Sequence, residues 1–383
     1  MSYVPRRSLF SLLLFTLVAA IPMTTFAETL SFYVGTYTGG ESKGIYYAAL
    51  DLETGKLSEP KLVAETPNPT FLTLSADGKF LYSVGEISQF RGQRTGAVAS
   101  FAVKDGGKLE ALNEQPVGGA GPCHVFLSPE DKFVLVANYG GGSVASLPVK
   151  EDGSLGPAVS VIQHSGSSVN PQRQQGPHGH AIYVTANGKF ALAADLGLDQ
   201  VLVYQWDNET GKLTPNDPPH IAVTPGGGPR HLAMDDEGKF LYVLQELSSK
   251  LEVWSLDSDK GTGEEIEIHS TLPEDFEGNN STAEIYLHPN GKFLYCSNRG
   301  HNSIAIFKVD PETGKLTAAG HESTQGKVPR HFIIDPSGKY LLAANQDSHN
   351  IVSFKIDAAT GLLKEVGSQI TVPSPVCVIF EPK

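Results

Sequence analysis

One turn-and-aromatic pattern recurs six times along this chain and limits the folds open to it. It reads "ADGKF" ending at Phe80, "EDKF" at Phe133, "NGKF" at Phe190, "EGKF" at Phe240, "NGKF" at Phe293 and "SGKY" at Tyr340. These aromatics lie 53, 57, 50, 53 and 47 residues apart. Such a period marks repeated units that share one core, and it overrides the two or three domains that length alone suggests. A second marker falls between the first: "DLETGKL" from Asp51, "KDGGKL" from Lys104, "KEDGSL" from Lys150, "DNETGKL" from Asp207, "DSDKGTG" from Asp257, "DPETGKL" from Asp310 and "DAATGLL" from Asp357. One marker therefore occurs six times and the other seven.

The mismatch is resolved at the termini. The C-terminal "PSPVCVIFEPK" matches the segment before the first marker in the other units, and the N-terminal "LSFYVGTY" matches the segment after it. Each unit reads as four short strands punctuated by Gly-containing turns, the pattern of an antiparallel sheet. Gly supplies positive φ at the tip and Lys keeps the tip solvated. Seven such sheets predict an all-β, seven-bladed β-propeller whose last blade is closed by the N- and C-terminal strands, so that no sheet edge is left at the seam.

The first 27 residues differ in kind. Arg6 and Arg7 precede an apolar run from Leu9 to Ile21, and Thr25-Phe26-Ala27 places small residues where a signal peptidase cuts. The run is too short to span a bilayer. The expectation is a signal peptide over 1–27, one propeller domain over 28–383, export to the periplasm or extracellular space, and no stable membrane insertion after cleavage. Losing two arginines moves the formal net charge from −13 to about −15, which argues against nucleic acid and anionic membrane surfaces as partners. Three widely spaced cysteines, Cys123, Cys296 and Cys377, provide neither a disulfide framework nor a metal-finger spacing. The oligomeric state is left open.

If the first strand of each unit runs to the Gly-Lys turn and the second runs back, the residues ten and nine before the repeat aromatic finish beside those five and six after it. The first pair of positions holds Arg230, His231, Arg330, His331, His180, His124 and Glu284, and the second holds Glu246 and Arg299, with Glu86, Asn138, Tyr139 and Asp195 among the rest. Cations and imidazoles thus concentrate at one channel mouth, which the repeat itself does not require. A proline eleven before the aromatic opens five inner strands, at Pro69, Pro122, Pro229, Pro329 and Pro375. His178 and His180 in "GPHGH" share one face of an extended strand, a spacing that metal ligands also use, but nothing completes a metal set and no cofactor is expected. Connections longer than the repeat, at 89–94, 164–176 and 274–282, are candidates for a rim over the site.

At these residues the chain resembles the lactonase family of seven-bladed propellers, which includes the propeller-type 6-phosphogluconolactonases and the fungal 3-carboxy-cis,cis-muconate cyclases. The resemblance covers nearly all of residues 30–383, most tellingly "FYVGTYTGGESKGIYYAALDLETGKL", "PHGHAIYV", "GPRHLAM" with "VLQE", and "SNRGHNSIAIF". The cyclase members are associated with a histidine, an arginine, a glutamate and a second arginine at the mouth. The resemblance places these on His180 (with His178 as rival), Arg230, Glu246 and Arg299. It implies a small-molecule lactone substrate, sugar or acidic, and their place at the same mouth makes His124, His178, His231, Glu284, Arg330 and His331 the expected binding residues.

Lactone hydrolysis needs an activated water and stabilisation of the charge that develops on the carbonyl oxygen. Arg230 suits the second task, Glu246 or His180 the first, and Arg299 and Arg330 suit an anionic substituent on the substrate. Two other functions use the same residues: a muconate-type cycloisomerase or lyase, and a non-catalytic propeller that binds a partner on its face.

Overall fold

The computed structural model describes Met1 and residues 28–382, so the predicted signal segment and its cleavage site lie outside the described residues. Among the described residues, 28 strands form seven four-stranded antiparallel sheets, one to each unit of the repeat. One sheet, for example, takes Pro229–Met234, Phe240–Gln245, Lys250–Asp257 and Thr262–Ser270 in chain order. The seventh joins the two ends of the chain. Pro375–Phe380 pairs antiparallel with Thr29–Thr36, with Phe32 opposite Phe380 and Thr36 opposite Pro375. The first strand of each sheet packs against the first strand of the next, closing a ring around a central channel.

The hydrophobic core is divided into seven wedges, each between two neighbouring blades. Strands such as Phe240–Gln245 and Phe133–Asn138 are buried at every residue because both faces of each sheet are covered. Packing is thus satisfied between the blades, and the channel is left free to carry polar side chains.

The two sequence markers meet in space. Gly211 of "ETGKL" sits on the ring of Phe133 from the preceding blade, where an added Cβ would lie 2.4 Å from a ring atom; Gly314 sits in the same way on Phe240. Each blade therefore needs its second-marker glycine to admit its neighbour's aromatic. Four of the five expected prolines open inner strands, at Pro122, Pro229, Pro329 and Pro375. Pro69 does not: its strand is only Leu72–Leu74, and the Pro69 carbonyl instead accepts the Thr36 amide of the closing blade at 3.1 Å.

Candidate active site

Consecutive residues of a regular strand point to opposite faces, yet Arg230 and His231 are both buried in the channel. A bulge reconciles the two. Pro229 pairs with Gln245 and His231 with Leu244, so Arg230 is an extra residue in its strand. The same irregularity falls at Cys123, His180 and Arg330, at Ala283–Glu284, and at Val376 in the closing blade. Bulges re-aim side chains beside functional sites. Here they let two successive residues per blade serve the channel.

Glu246 is the centre of the arrangement. Its Oε2 accepts from Arg230 Nε at 3.1 Å and lies 3.0 Å from Arg299 Nη2, while Oε1 accepts from Arg173 Nη2 at 2.8 Å. His180 Nε2 stands 3.9 Å from Oε2. The guanidiniums are held by the backbone as well: Arg230 donates to the Ala283 carbonyl and Arg299 to that of Thr282. Burial alone would push the Glu246 carboxyl up, but Arg299, Arg230 and Arg173 outweigh it and hold it down at about 2. Burial pulls Arg299 down to about 10, against the attraction of Glu246, and it remains charged.

A second carboxylate faces the first. Glu86 stands six residues after Phe80, as Glu246 stands six after Phe240. It accepts from Tyr37 Oη at 2.9 Å and from Thr70 Oγ1 at 2.6 Å, and Arg330 Nη2 donates to Tyr37 Oη at 3.1 Å with its guanidinium over the tyrosine ring. Four guanidiniums therefore gather around Glu246 and Glu86 at this mouth, with Glu284 just beneath, so cations outnumber carboxylates here in a protein of net charge −13.

Below the arginines the channel is closed by packed rings. Phe71 lies 4.5 Å from His124 and 5.7 Å from both His231 and His331, and His231 is 5.2 Å from His180, centroid to centroid. Burial, reinforced by neighbouring imidazoles and arginines, holds His124, His180 and His231 well below the usual imidazole value. Burial also lowers His331 to about 4, although Glu284 opposes it. Glu284 is pushed up by burial, against the pull of His331 and Arg230.

The geometry thus gathers His180, Arg230, Glu246 and Arg299 around one carboxylate, with His124, His231, Glu284 and His331 beneath and Arg330 alongside. His178 stands apart at the rim. Its ring stacks on Tyr139 at 4.5 Å, its Nδ1–H reaches the Tyr139 carbonyl at 3.0 Å, and its amide donates to Asp195 Oδ1. Among the described residues no group of three or more His, Cys, Asp and Glu has the spacing of a metal site. Cys123, Cys296 and Cys377 are free and buried, and burial raises the Cys123 thiol.

Sequence reasoning missed Arg173 and Tyr37, and it placed Thr70 and Glu86 at mouth positions without giving either a role. Arg173 lies in the long 164–176 connection, whose length was its only signal. That loop is tied down by Asp199, which accepts from Gln174 Nε2, Ser168 Oγ and the amides of Gly226 and Gly228, the last next to Pro229-Arg230. Glu86 shares the position of Glu246 and was legible by that equivalence.

The family model "Lactonase, 7-bladed beta-propeller" matches residues 31–380. The chain is 40% identical over 349 residues to the 6-phosphogluconolactonase of Bacillus subtilis, spanning 91% of this chain and 97% of that protein. Among solved structures it superposes on the periplasmic gluconolactonase PpgL of Pseudomonas aeruginosa with a TM-score of 0.87, at 34% identity over 92% of this chain and 99% of that one. A Bacteroides fragilis structure gives a TM-score of 0.86 at 40% identity, over 94% and 99% of the two chains.

Proposed function

The chain belongs to the seven-bladed β-propeller lactonase family, and we propose that this lactonase opens an anionic sugar lactone at the arginine-lined end of its channel. The observation that carries the reading is the surplus of guanidinium groups around Glu246 and Glu86, fixed in place before any substrate arrives. Donors preorganised in a water-poor site stabilise a developing oxyanion far better than donors in water. Arg230 and Arg299 face the reacting carbonyl, and Arg330 and Arg173 suit a phosphate or carboxylate on the substrate. Glu246, ionised at any working pH, is a weak base; its part is to hold three guanidiniums in one geometry. His180, neutral and 3.9 Å from that carboxylate, completes the cup.

Hydrolysis takes place outside the cytoplasm in this reading, after removal of residues 1–27 from a single propeller domain 28–383. Arg6-Arg7, the apolar run and Thr25-Phe26-Ala27 support it, as does the periplasmic place of the Pseudomonas relative. Cell fractionation with N-terminal sequencing checks it, the expected mature terminus being Glu28.

Rates on 6-phosphogluconolactone, glucono-δ-lactone and a muconolactone, with spontaneous opening subtracted, test the chemistry. Arg230→Lys and Glu246→Gln are each expected to lower hydrolysis of the best substrate at least about a hundredfold, the scale of a lost charge-stabilising donor. Lysine keeps the charge but not the planar fork, so that variant tests directed hydrogen bonding. Folded variants with parental rates would remove catalysis from this mouth. Preferred action on the muconate ring would turn the reading toward a cycloisomerase.

A further inference from the structure

Between the arginine layer and the packed rings lies a cavity of about 10 Å³, lined by Arg230, Arg330, Glu86, His231, Glu284 and His331 among others. That is about the space of one water molecule. One buried polar atom of its lining, His231 Nε2, has no hydrogen-bond partner, whereas Glu284 Oε2 faces His331 Nε2 at 3.4 Å. An orphaned buried atom is costly, so a free imidazole nitrogen on a polar cavity points to a function.

The hydrogen bonds around the cavity fix the tautomers. Glu284 Oε1 accepts the Ile285 amide at 3.1 Å, so it acts as an acceptor, and His231 Nδ1, 2.9 Å away, carries the hydrogen. His231 Nε2 is then an unengaged lone pair. His331 Nδ1 accepts the Val378 amide and His124 Nδ1 accepts that of Ile182, so both spend their lone pairs on backbone. His180 places Nδ1 3.8 Å from Cys123 Sγ and Nε2 3.9 Å from Glu246. Of these four imidazoles, His231 alone combines a carboxylate on one nitrogen with a free lone pair on the other.

We propose that His231 is the general base that activates the hydrolytic water in this cavity, with Glu284 as the positioning residue that fixes its tautomer. The inference rests on the lactonase reading. A water in the cavity loses a proton to His231 Nε2 as its oxygen bonds to the lactone carbonyl carbon, and the carbonyl electrons move onto oxygen beside Arg230. When the intermediate collapses, the ring C–O bond breaks and the proton on Nε2 passes to the leaving ring oxygen. The products are the alcohol and the carboxylic acid, which releases its proton to solvent. Glu284 faces the imidazolium while it exists, the arrangement that makes a carboxylate-paired histidine a competent base. Burial with Arg230 and Arg330 keeps the resting His231 neutral, so its lone pair is available at neutral pH. The groups that set its titration are Arg230, Arg299, Arg330, Glu246, Glu284, His124, His180 and His331.

The test measures kcat and KM on the lactone that the parental protein opens fastest. His231→Ala is expected to lower kcat by about 10²- to 10³-fold with KM within about threefold, and added imidazole should restore part of the rate. Glu284→Gln removes the charge that supports the imidazolium, so the acid limb of the pH–kcat profile should move to lower pH and the plateau fall about tenfold. A parental rate in folded His231→Ala, or a lost rate that imidazole does not restore together with an unmoved acid limb in Glu284→Gln, overturns the proposal. If His231→Ala does not fold, the acid limb of Glu284→Gln decides alone. A parental protein that opens no lactone overturns the lactonase reading and this inference with it; an active parent with a parental-rate His231→Ala overturns only the inference.

Discussion

The two ends of the channel are built by the same seven inner strands, yet one end is small and cationic and the other wide, with a mixed apolar and acidic lining. At the arginine end, bulges deliver Arg230, His180 and Arg330 beside Glu246, and the free space is a cavity of about 10 Å³. Toward the Gly-Lys turns the strands are regular. The residues seven before each aromatic, including Phe126, Tyr183, Tyr286 and Ile333, line an opening of about 930 Å³ whose rim carries Asp235, Asp236, Glu237 and Glu312. Volume and charge therefore point to different ends of the channel. The large opening has no convergent cations and an acidic rim that repels an anion, whereas the small one has fixed donors and surplus positive charge.

The strand that closes the ring serves both ends, and its removal is the harshest way to break the comparison. Val376 lines the arginine-end cavity and Ile379 the wide opening. Deleting Pro373–Lys383 removes Pro375–Phe380, its pairing with Thr29–Thr36 and the wedge that holds Val378 and Phe380. The expected cost is several kcal/mol, a large part of a domain's usual stability, read as a shifted denaturant midpoint. Unchanged melting would mean that the closure is not what holds the ring.

Acid should act on the imidazole layer between the two ends. His331 titrates at about 4 in the folded protein and near 6.5 in an unfolded chain, and His124, His180 and His231 are shifted the same way. The unfolded state therefore binds more protons, and stability present above pH 6.5 is lost as pH falls toward 4 and below. His331 alone accounts for roughly 3 kcal/mol at the acid limit. Glu246, about 2 against a usual 4.5, adds a loss below pH 4.5. Glu284, whose value is raised, works in the opposite sense and softens the fall. Melting temperatures from pH 7.5 to 4 check this; a flat profile would contradict neutral, buried imidazoles.

How much of this was legible in the sequence depends on what the repeat could transmit. The seven sheets and the split blade came from two markers counted against each other, and the pairing of Pro375–Phe380 with Thr29–Thr36 is the closure that the count implied. Arg230, Glu246 and Arg299 were legible because they occupy repeat positions. The bulges were not, since an inserted residue leaves no mark when six of the seven blades carry the same insertion, and strict alternation would have sent either Arg230 or His231 out of the channel. Tyr37 and Arg173 were missed because they reach the site from outside the repeat positions, and Arg173 does so from a loop whose sequence has no counterpart in other blades.

Arg173 sharpens the comparison from its solvent side. Its side chain is 42% exposed, and it caps Glu246 at 2.8 Å while also donating to Tyr139 Oη. A half-exposed pair contributes up to about 1 kcal/mol. Arg173→Ala should therefore raise KM for an anionic lactone no more than about fivefold and leave kcat nearly unchanged. A neutral lactone should show less, and a fall in kcat comparable to that of Arg230→Lys would make Arg173 part of the reacting geometry.

The smallest effect is expected at the wide end, and it is the one that tests whether the two ends are functionally distinct. Tyr286→Phe and Ile333→Val alter residues that line that opening and touch none of the arginine cluster. Tyr286 loses only a hydroxyl next to the Phe293–Tyr295 wedge, and Ile333 one methylene of a partly buried side chain next to the wedge of Phe32, Tyr340 and Val378. Neither change alters the charge around Glu246 or the ring that closes the channel, so kcat/KM should stay within about twofold of the parent, under ~0.5 kcal/mol in the barrier. The two variants should also melt within a few degrees of the parent, Ile333→Val the lower because it removes packing. If either change lowered the rate on the scale of Arg230→Lys while the protein stayed folded, the substrate would have to reach the reacting groups through the wide opening, and the acidic rim would then be selecting against the anions that the arginines are arranged to hold.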